Sequence, residues 1–162
     1  MAARAETMTR APSFVAVFNT IVQKLLRIGL PLGPNSLITI RGRQSGQPRT
    51  TPIAVVEIGG RRWVQSPFGD VNWVRNLRLA REATIKVGKR EERVTSVELS
   101  QEESVVFFSD VLGPYVRSLP LGRWLLGSVL GARDILEDPK RAAERYPVFE
   151  LRRIVEKPGR AG

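Results

Sequence analysis

The 162-residue sequence contains no cysteine and no histidine, and these two absences exclude several kinds of chemistry. Without cysteine there is no disulfide framework and no thiolate nucleophile. Zinc sites in proteins are built largely from these two side chains, so their absence argues strongly against a zinc enzyme. A Ser-His-Asp or Cys-His nucleophile system is impossible. Any proton transfer near pH 7 must therefore use tyrosine, lysine, a carboxylate, water or a bound cofactor.

Long apolar runs are also missing. The most apolar stretch, residues 14–32, is interrupted by amide and basic side chains, whereas a membrane-spanning helix needs about 20 nearly unbroken apolar residues. Residues 13–29 instead repeat apolar side chains at i, i+3 and i+4, which predicts an amphipathic helix packed on the domain. In the alternative, residues 14–30 lie on a membrane surface with Lys24 and Arg27 against anionic headgroups. We predict a cytoplasmic protein, with membrane association as the alternative.

The charge is strongly one-sided. The formal net charge is +10 and the isoelectric point is near 11.1, a balance that favours anionic partners such as nucleic acid, anionic lipid or a polyanionic cofactor. Aromatic residues make up only 7% of the chain and do not alternate with the arginine clusters. A stacking platform for single-stranded nucleic acid is therefore not expected. The charge points to a small polyanion, or else serves only solubility.

Hydrophobic alternation predicts a small barrel. Six strands are predicted, at residues 37–41, 51–58, 61–66, 84–87, 93–99 and 147–155. Gly59 and Gly60 form a strong hairpin signal between the second and third strands. Because crossover helices do not separate the strands regularly, a doubly wound parallel sheet is disfavoured. The predicted class is α+β, with about six mostly antiparallel strands and peripheral helices.

Capping signals predict the helices and the limits of the domain. Helices are expected at residues 70–81, 100–112 and 138–146, with further helical pieces in residues 115–133. Asp70 is the expected N-cap of the first of these helices. Ser100 and Glu103 match a capping box, and Asp138 followed by proline is a second start signal. We expect one domain over residues 13–155, between disordered ends at residues 1–12 and 156–162.

The sequence GRQSGQPRTTP, residues 42–52, is the first candidate site. It predicts a turn between two strands whose glycines allow close backbone approach to a ligand. Successive exposed N–H groups form a nest for an anion, and Arg43 and Arg49 can bind phosphate or carboxylate through forked hydrogen bonds. The alternative is a solvated hairpin loop that is merely basic. Neither a dinucleotide-binding glycine motif nor a P-loop is present.

The sequence SPFGDVNWVRNLRLA, residues 66–80, is the second candidate site. It places a turn and a helix N-terminus, which attracts anions, beside the end of the third strand. Asn72 and Asn76 share one helix face. Trp73 lies within the same turn and either flanks a planar ring or packs in the core.

Together these two segments resemble the deazaflavin (F420)-dependent nitroreductase and F420H2-dependent quinone reductase family, whose fold is an FMN-binding-like split β-barrel. The resemblance implies that the chain binds coenzyme F420, whose phosphate and oligoglutamate tail is strongly anionic. It further implies that Arg43, Ser45 and Arg49 bind the phosphate and tail, and that Thr51 and Pro52 lie against the ring. Ser66 and Pro67 would contact the ring or the ribityl chain, and Trp73 and Asn76 would close the site. The remaining residues implied for the cofactor site are Gln44, Gly46, Thr50, Gln65, Phe68 and Asn72.

Two positions depart from the family pattern. Gln44 stands where relatives often carry a basic residue, and Pro67 stands where a lysine can occur. Losing two positive contacts is expected to weaken cofactor affinity or to change the preferred tail.

The resemblance implies an oxidoreductase that passes a hydride from reduced F420 to a hydrophobic acceptor such as a quinone, a nitroaromatic or an activated enone. The cofactor supplies the chemistry in such enzymes, so the lack of histidine and cysteine is no obstacle. Tyr115 or solvent would deliver the proton, and the apolar residues 14–29, Phe107, Phe108 and residues 119–130 would wall the acceptor pocket. The alternatives are an FMN-dependent enzyme of the same barrel class and a non-catalytic F420 carrier. Split barrels of this kind are often dimers, so a homodimer is also expected.

Overall fold

The computed structural model describes residues 35–118 and 134–155. Its centre is a closed barrel in which every neighbouring strand pair is antiparallel, with the order β1-β2-β3-β6-β5-β4. The strands are β1 (Asn35–Arg41), β2 (Pro48–Ile58), β3 (Arg61–Gln65), β4 (Glu82–Val87), β5 (Arg90–Glu98) and β6 (Val148–Arg153). The prediction of six antiparallel strands is confirmed.

The described helices lie at two places in the chain. They are α1 (Asn72–Ala80), α2 (Gln101–Val106), a π-helical turn (Phe107–Leu112), α3 (Gly113–Ser118), α4 (Asp134–Glu137) and α5 (Pro139–Arg145). Helix α1 connects β3 to β4, as predicted. The other helices lie between β5 and β6.

The barrel interior is filled by alternate residues of the strands. Ile38, Val64 and Val94 are completely buried there, and each such side chain contributes roughly 1.5–3 kcal/mol through its removal from water. Helix α1 adds Val74 and Leu77, three residues apart and both fully buried, to the same core. The helix therefore covers one end of the barrel, and its polar face is left beside the β1–β2 loop.

A second core lies between the outer face of the sheet and the helices after β5. Trp63 of β3 packs against Phe107 with ring centroids 5.6 Å apart. The rings of Phe107 and Phe108 are 2% and 0% exposed. The prediction that these two phenylalanines wall an acceptor pocket is therefore wrong, because both are used in core packing.

Most local signals are confirmed. Gly59 and Gly60 both have positive φ in the β2–β3 hairpin. Ser100 and Glu103 form the complete capping box, and the Asp138 side chain accepts a hydrogen bond from the backbone N–H of Arg141.

The start of α1 differs from the prediction. The helix begins at Asn72 with Val71 as its N-cap, and no side chain caps it. Asp70 instead accepts hydrogen bonds from Arg75 at 3.0 Å and from Arg78 at 2.6 Å. The Asp70 side chain therefore pairs with two guanidinium groups and does not cap the helix.

Several element limits also differ. Strand β2 begins at Pro48, inside the predicted turn, because residues 48–50 pair with β1. Strand β5 begins at Arg90 because its first residues pair with the end of β4. The predicted helix 13–29, most of residues 115–133 and the disordered ends lie outside the described residues. Within the described ranges, no helix is long and apolar enough to cross a membrane.

Glu150 is a buried carboxylate on the outer face of β6. Its Oε1 accepts from Arg61 Nε at 3.0 Å and its Oε2 accepts from Arg152 Nη2 at 2.9 Å. These hydrogen bonds, the one from Arg61 above all, hold the pKa of Glu150 below its ordinary value of 4.5. The guanidinium of Arg61 also lies over the Trp63 ring, 5.1 Å from its centroid. The ion pair thus connects strands β3 and β6.

Replacing Glu150→Gln should lower the free energy of unfolding at pH 7 by about 1 kcal/mol, because it removes a charge-assisted pair whose arginines are exposed. A lowered pKa in the folded state means that this stabilisation is fully present above pH 4.5 and is lost as the pH falls through the folded-state value. Urea unfolding of both proteins across this range should show their difference shrinking with acid. Glu91→Gln, an exposed matched change, should have little effect, and a difference that is constant with pH would contradict the assignment.

Candidate functional site

The β1–β2 loop, residues 42–47, is a compact turn closed by its own backbone. The N–H of Gly42 donates to the carbonyl of Gln47 at 2.8 Å, and the N–H of Gly46 donates to the carbonyl of Gly42 at 2.8 Å. Gly46 has φ +68°, and a Cβ on Gly42 would lie 3.1 Å from the Gln47 carbonyl oxygen. Glycine therefore suits both positions, at Gly46 because of its positive φ and at Gly42 because the turn is tightly packed there. The Ser45 hydroxyl accepts from the backbone N–H of Gln47 at 3.3 Å, and Gln44 is exposed at the tip.

Arg43 joins this loop to helix α1. Its Nη1 donates to Asn76 Oδ1 at 2.9 Å, and its Nη2 donates to Asn72 Oδ1 at 3.3 Å. The backbone N–H of Arg43 donates to the same Asn76 oxygen at 3.2 Å. The structure thus brings together residues from both sequence motifs that are about 30 positions apart.

Two more arginines flank the loop. The guanidinium of Arg41 lies 3.8 Å from the position of a Cβ on Gly46, and the side-chain stem of Arg49 lies 3.5 Å from that of a Cβ on Gly42. In the part of the chain that the structure describes, Arg41, Arg43 and Arg49 form no ion pair with a carboxylate. Their positive charge is therefore uncompensated. Arg41 was not among the predicted site residues, although its place directly before the loop motif could have revealed it.

The neighbouring arginines of α1, in contrast, are paired with carboxylates. Arg78 donates to both carboxylate oxygens of Glu98, at 2.8 and 2.7 Å, and also to Asp70. The hydrogen bond with Glu98 raises the pKa of Arg78 above its ordinary value. Arg75 pairs with Asp70. Their charges are matched by carboxylates, so they hold α1 to the barrel and add little to the field outside it.

Strands β2 and β3 separate in the middle of β2. Residues 55–58 pair with β3, whereas residues 48–54 pair with β1. Within the described residues, no strand pairs with the other edge of residues 48–54. We refer to the region between this unpaired edge and the β3–α1 turn as the gap. Thr51 and Pro52 are half-buried on the β2 side. Thr50 faces the opposite way and shares a hydrogen bond of 2.9 Å with Thr39.

The other side of the gap carries the remaining predicted residues. Ser66 is fully buried, and its hydroxyl donates to the carbonyl of Gly69 at 2.7 Å, so it fixes the turn. Gln65 Oε1 is buried and has no hydrogen-bond partner in the structure. Pro67 is half-buried, and Phe68 is 49% exposed. A buried acceptor without a donor is costly, so Gln65 is suited to receive an N–H group from a ligand.

Trp73 and Tyr115 each pack against a hydrophobic core. Trp73 is half-buried and packs against Phe149 of the barrel core, with ring centroids 6.2 Å apart. Tyr115 of α3 packs against the second core. Within residues 35–118 and 134–155, Tyr115 shares no hydrogen bond or ring contact with the predicted cofactor residues.

A cleft of about 730 Å³ lies beside the loop on the side of β4. The polar residues that line it include Arg41, Arg43, Glu82, Thr84 and Arg93. The residues from β4 and β5 were not predicted, because nothing in their local sequence marks them as part of a site. The cleft and the gap lie on either side of the same arginine-rich loop.

The model of the F420H(2)-dependent quinone reductase family matches residues 17–117 of the sequence. The chain belongs to this family. It is therefore an F420-dependent reductase, and the alternative of FMN as cofactor is not needed. No curated protein matches the sequence.

Solved structures show the same fold. A structure described as a domain-swapped dimer is 18% identical, with coverage of 88% of this chain and 100% of that one and a TM-score of 0.51. An F420-H2 dependent reductase (FDR-A) is 23% identical over 74% of this chain and 94% of that one, with a TM-score of 0.47. A protein related to general stress protein 26, of the pyridoxinephosphate oxidase family, from Clostridium acetobutylicum is 13% identical over 89% and 86%, with a TM-score of 0.45. The barrel fold expected from the sequence is confirmed by the closed antiparallel sheet of the structure.

The residues at the loop fit a polyanionic cofactor. Arg41, Arg43 and Arg49 offer uncompensated positive charge to a phosphate and carboxylate tail. The unpartnered Gln65 Oε1 offers an acceptor to a heterocycle.

Replacing Arg49→Ala should weaken F420 binding about tenfold, the expected loss for one charge-assisted contact. Fluorescence titration of the cofactor at moderate salt measures the change. Arg90→Ala, at the exposed start of β5, removes the same charge at a position that does not line the cleft and is the matched control. Equal effects from the two variants would show that only the overall charge matters.

Proposed function

We propose that this reductase transfers a hydride from reduced F420 to a hydrophobic acceptor, such as a quinone, a nitroaromatic or an activated enone. The main observation in support is the arrangement of Arg41, Arg43 and Arg49, three uncompensated cations around one loop next to an open strand edge. Family membership supplies the cofactor.

In this proposal the loop binds the anionic end of the cofactor. Arg43 and Arg49 would bind the phosphate and tail, with the Ser45 hydroxyl beside them and Arg41 as an additional contact. The predicted nest of exposed loop amides is wrong, because the N–H groups of Gly42, Arg43, Gly46 and Gln47 already donate hydrogen bonds within the protein. Gln44 is exposed at the loop tip, where it offers an amide in place of a positive charge.

The ring would lie in the gap between β2 and the β3–α1 turn. Thr51 and Pro52 form one side of this gap. Gln65 would accept a hydrogen bond from the ring, and Ser66 would act by fixing the turn through its bond to Gly69. When bound, the reduced cofactor supplies a hydride in an obligate two-electron transfer. The protein orients the ring and keeps water from one face of it.

The acceptor would bind next to the ring at Phe68. This side chain is 49% exposed on the β3–α1 turn, beside the half-buried Pro67. An exposed aromatic side chain gives a planar apolar molecule a surface on which to stack. Since Phe107 and Phe108 are buried, Phe68 is the described aromatic residue that supports an apolar acceptor site.

Reduction of a quinone also requires a proton for each hydride that is added. Because Tyr115 has no contact with the gap in the described residues, we favour solvent as the proton source and retain Tyr115 as a residue to test. If Tyr115→Phe lowers turnover at saturating acceptor and cofactor, the tyrosine donates the proton, whereas unchanged turnover assigns the proton to solvent.

Two partner assignments also belong to this proposal. We infer a homodimer from the family resemblance, and the solved structure described as a domain-swapped dimer is in keeping with it. Light scattering of the purified chain tests this inference. Contact of residues 14–30 with a membrane surface is tested by sedimentation with anionic vesicles, where binding should fall as salt rises.

The function itself is tested by titrating the purified protein with F420 and, separately, with FMN. Saturable F420 binding that FMN does not match, followed by oxidation of the reduced cofactor when a quinone is added, is the expected result. Binding without turnover for any acceptor would favour a carrier. Equal oxidation by polar and apolar acceptors would overturn the proposal of a hydrophobic acceptor.

Replacing Phe68→Ala should lower kcat/KM for an apolar quinone about tenfold, because it removes an apolar surface worth roughly 1.5–3 kcal/mol when fully buried. The Kd for F420 should change little. Leu79→Ala is the matched control, since Leu79 is 69% exposed on α1 and lines the cleft on the other side of the loop. The idea fails if the two variants reduce quinone turnover alike.

A further inference from the structure

The amides that hold Arg43 both do so through oxygen. Asn76 Oδ1 accepts from the Arg43 backbone N–H at 3.2 Å and from Nη1 at 2.9 Å, and Asn72 Oδ1 accepts from Nη2 at 3.3 Å. A guanidinium only donates hydrogen bonds, so each amide must turn its oxygen toward it. Asn76 is 6% exposed, and it therefore holds Arg43 from a buried position.

The arginines of helix α1 are held by carboxylates. Arg78 is bound by Glu98 and Asp70. An ion pair of this kind fixes the guanidinium and cancels its charge at the same time. Asparagine has almost the shape of aspartate but carries no charge, so Asn72 and Asn76 fix Arg43 and leave its charge intact.

We infer that Asn76, assisted by Asn72, is a positioning residue that orients the Arg43 guanidinium without neutralising it, so that the full positive charge is available to the phosphate of the cofactor. This inference rests on the proposed cofactor site. Arg43 is half-buried, and in such surroundings a charge acts on a bound anion more strongly than it does in open water. Holding Arg43 with uncharged amides therefore strengthens anion binding more here than it would at an exposed arginine.

The test is Asn76→Asp, which keeps the shape and the acceptor positions of the side chain but pairs Arg43 with a carboxylate. The melting temperature should stay the same or rise, because the hydrogen bonds become charge-assisted. The Kd for F420 should rise on the order of tenfold or more. Its dependence on salt should also become shallower, since one cation fewer faces the anion. If Asn76 served only to stabilise the fold, Asn76→Asp would not weaken F420 binding while the melting temperature stayed the same or rose.

Three comparisons locate the effect. Gln101→Glu, an exposed change at the start of α2, alters net charge by the same amount and should leave binding unchanged. The deazaflavin without its phosphate and tail should bind both Asn76 forms equally. In an Arg43→Ala background, Asn76→Asp should cause little further loss, because coupled residues are not additive.

Asn72→Asp provides a second variant at an exposed position, with the same expected direction and little risk to folding. A wild-type protein that fails to bind F420 overturns the proposed function. If the wild type binds but both aspartate variants bind F420 as tightly, the asparagines merely fasten the loop to the helix and the inference is wrong. The inference also fails if F420 and the tailless deazaflavin are weakened alike, or if the loss persists in the Arg43→Ala background.

Discussion

The hydrogen bonds from Arg43 to Asn76 are the contacts on which the geometry of the site depends. Helix α1 is fixed to the barrel by Val74 and Leu77, which are completely buried. The β1–β2 loop has no comparable apolar anchor, and its tip is exposed. The backbone hydrogen bonds of the loop fix its internal shape but not its position on the barrel. Asn76 fixes that position, because it binds the loop to a well-packed helix. The buried amide accepts two donors from Arg43, so the loop has one preferred position relative to the helix.

The positions of the carboxylates, more than the net charge, determine which arginines are available to an anionic ligand. A formal charge of +10 could be a diffuse solubility field. Instead, Arg75 and Arg78 on α1 pair with Asp70 and Glu98, as the arginines near Glu150 and Glu92 pair with those residues. Among the described residues, the arginines at the loop lack such partners. The positive charge at the loop is therefore left available to an anion, as a polyanionic ligand requires.

The sequence predicted what local physics controls and missed what distant contacts control. Alternation predicted the strands because each has one face in the core, and the capping box at Ser100 was correct because its bonds span three residues. The role of Asp70 was predicted wrongly, since an N-cap signal is local whereas its guanidinium partners depend on the packing of α1. Which arginines stay unpaired was also invisible, because the Glu98 that neutralises Arg78 lies 20 positions away along the chain. The family resemblance singled out the β1–β2 loop, but it did not reveal how the loop is held.

The gap beside β2 follows from the barrel's closure and from proline chemistry together. Strand β3 pairs with residues 55–58 of β2 on one side and with β6 on the other, so the earlier part of β2 extends beyond β3. Pro48 and Pro52 both lie in this extended part. Proline cannot donate to a ladder and is tolerated only where a strand lacks a neighbour. It also discourages another strand from pairing along such an edge. The prolines of this segment thus disfavour pairing with a further strand, and an unpaired edge is what the proposed ring site requires in a barrel that is otherwise closed.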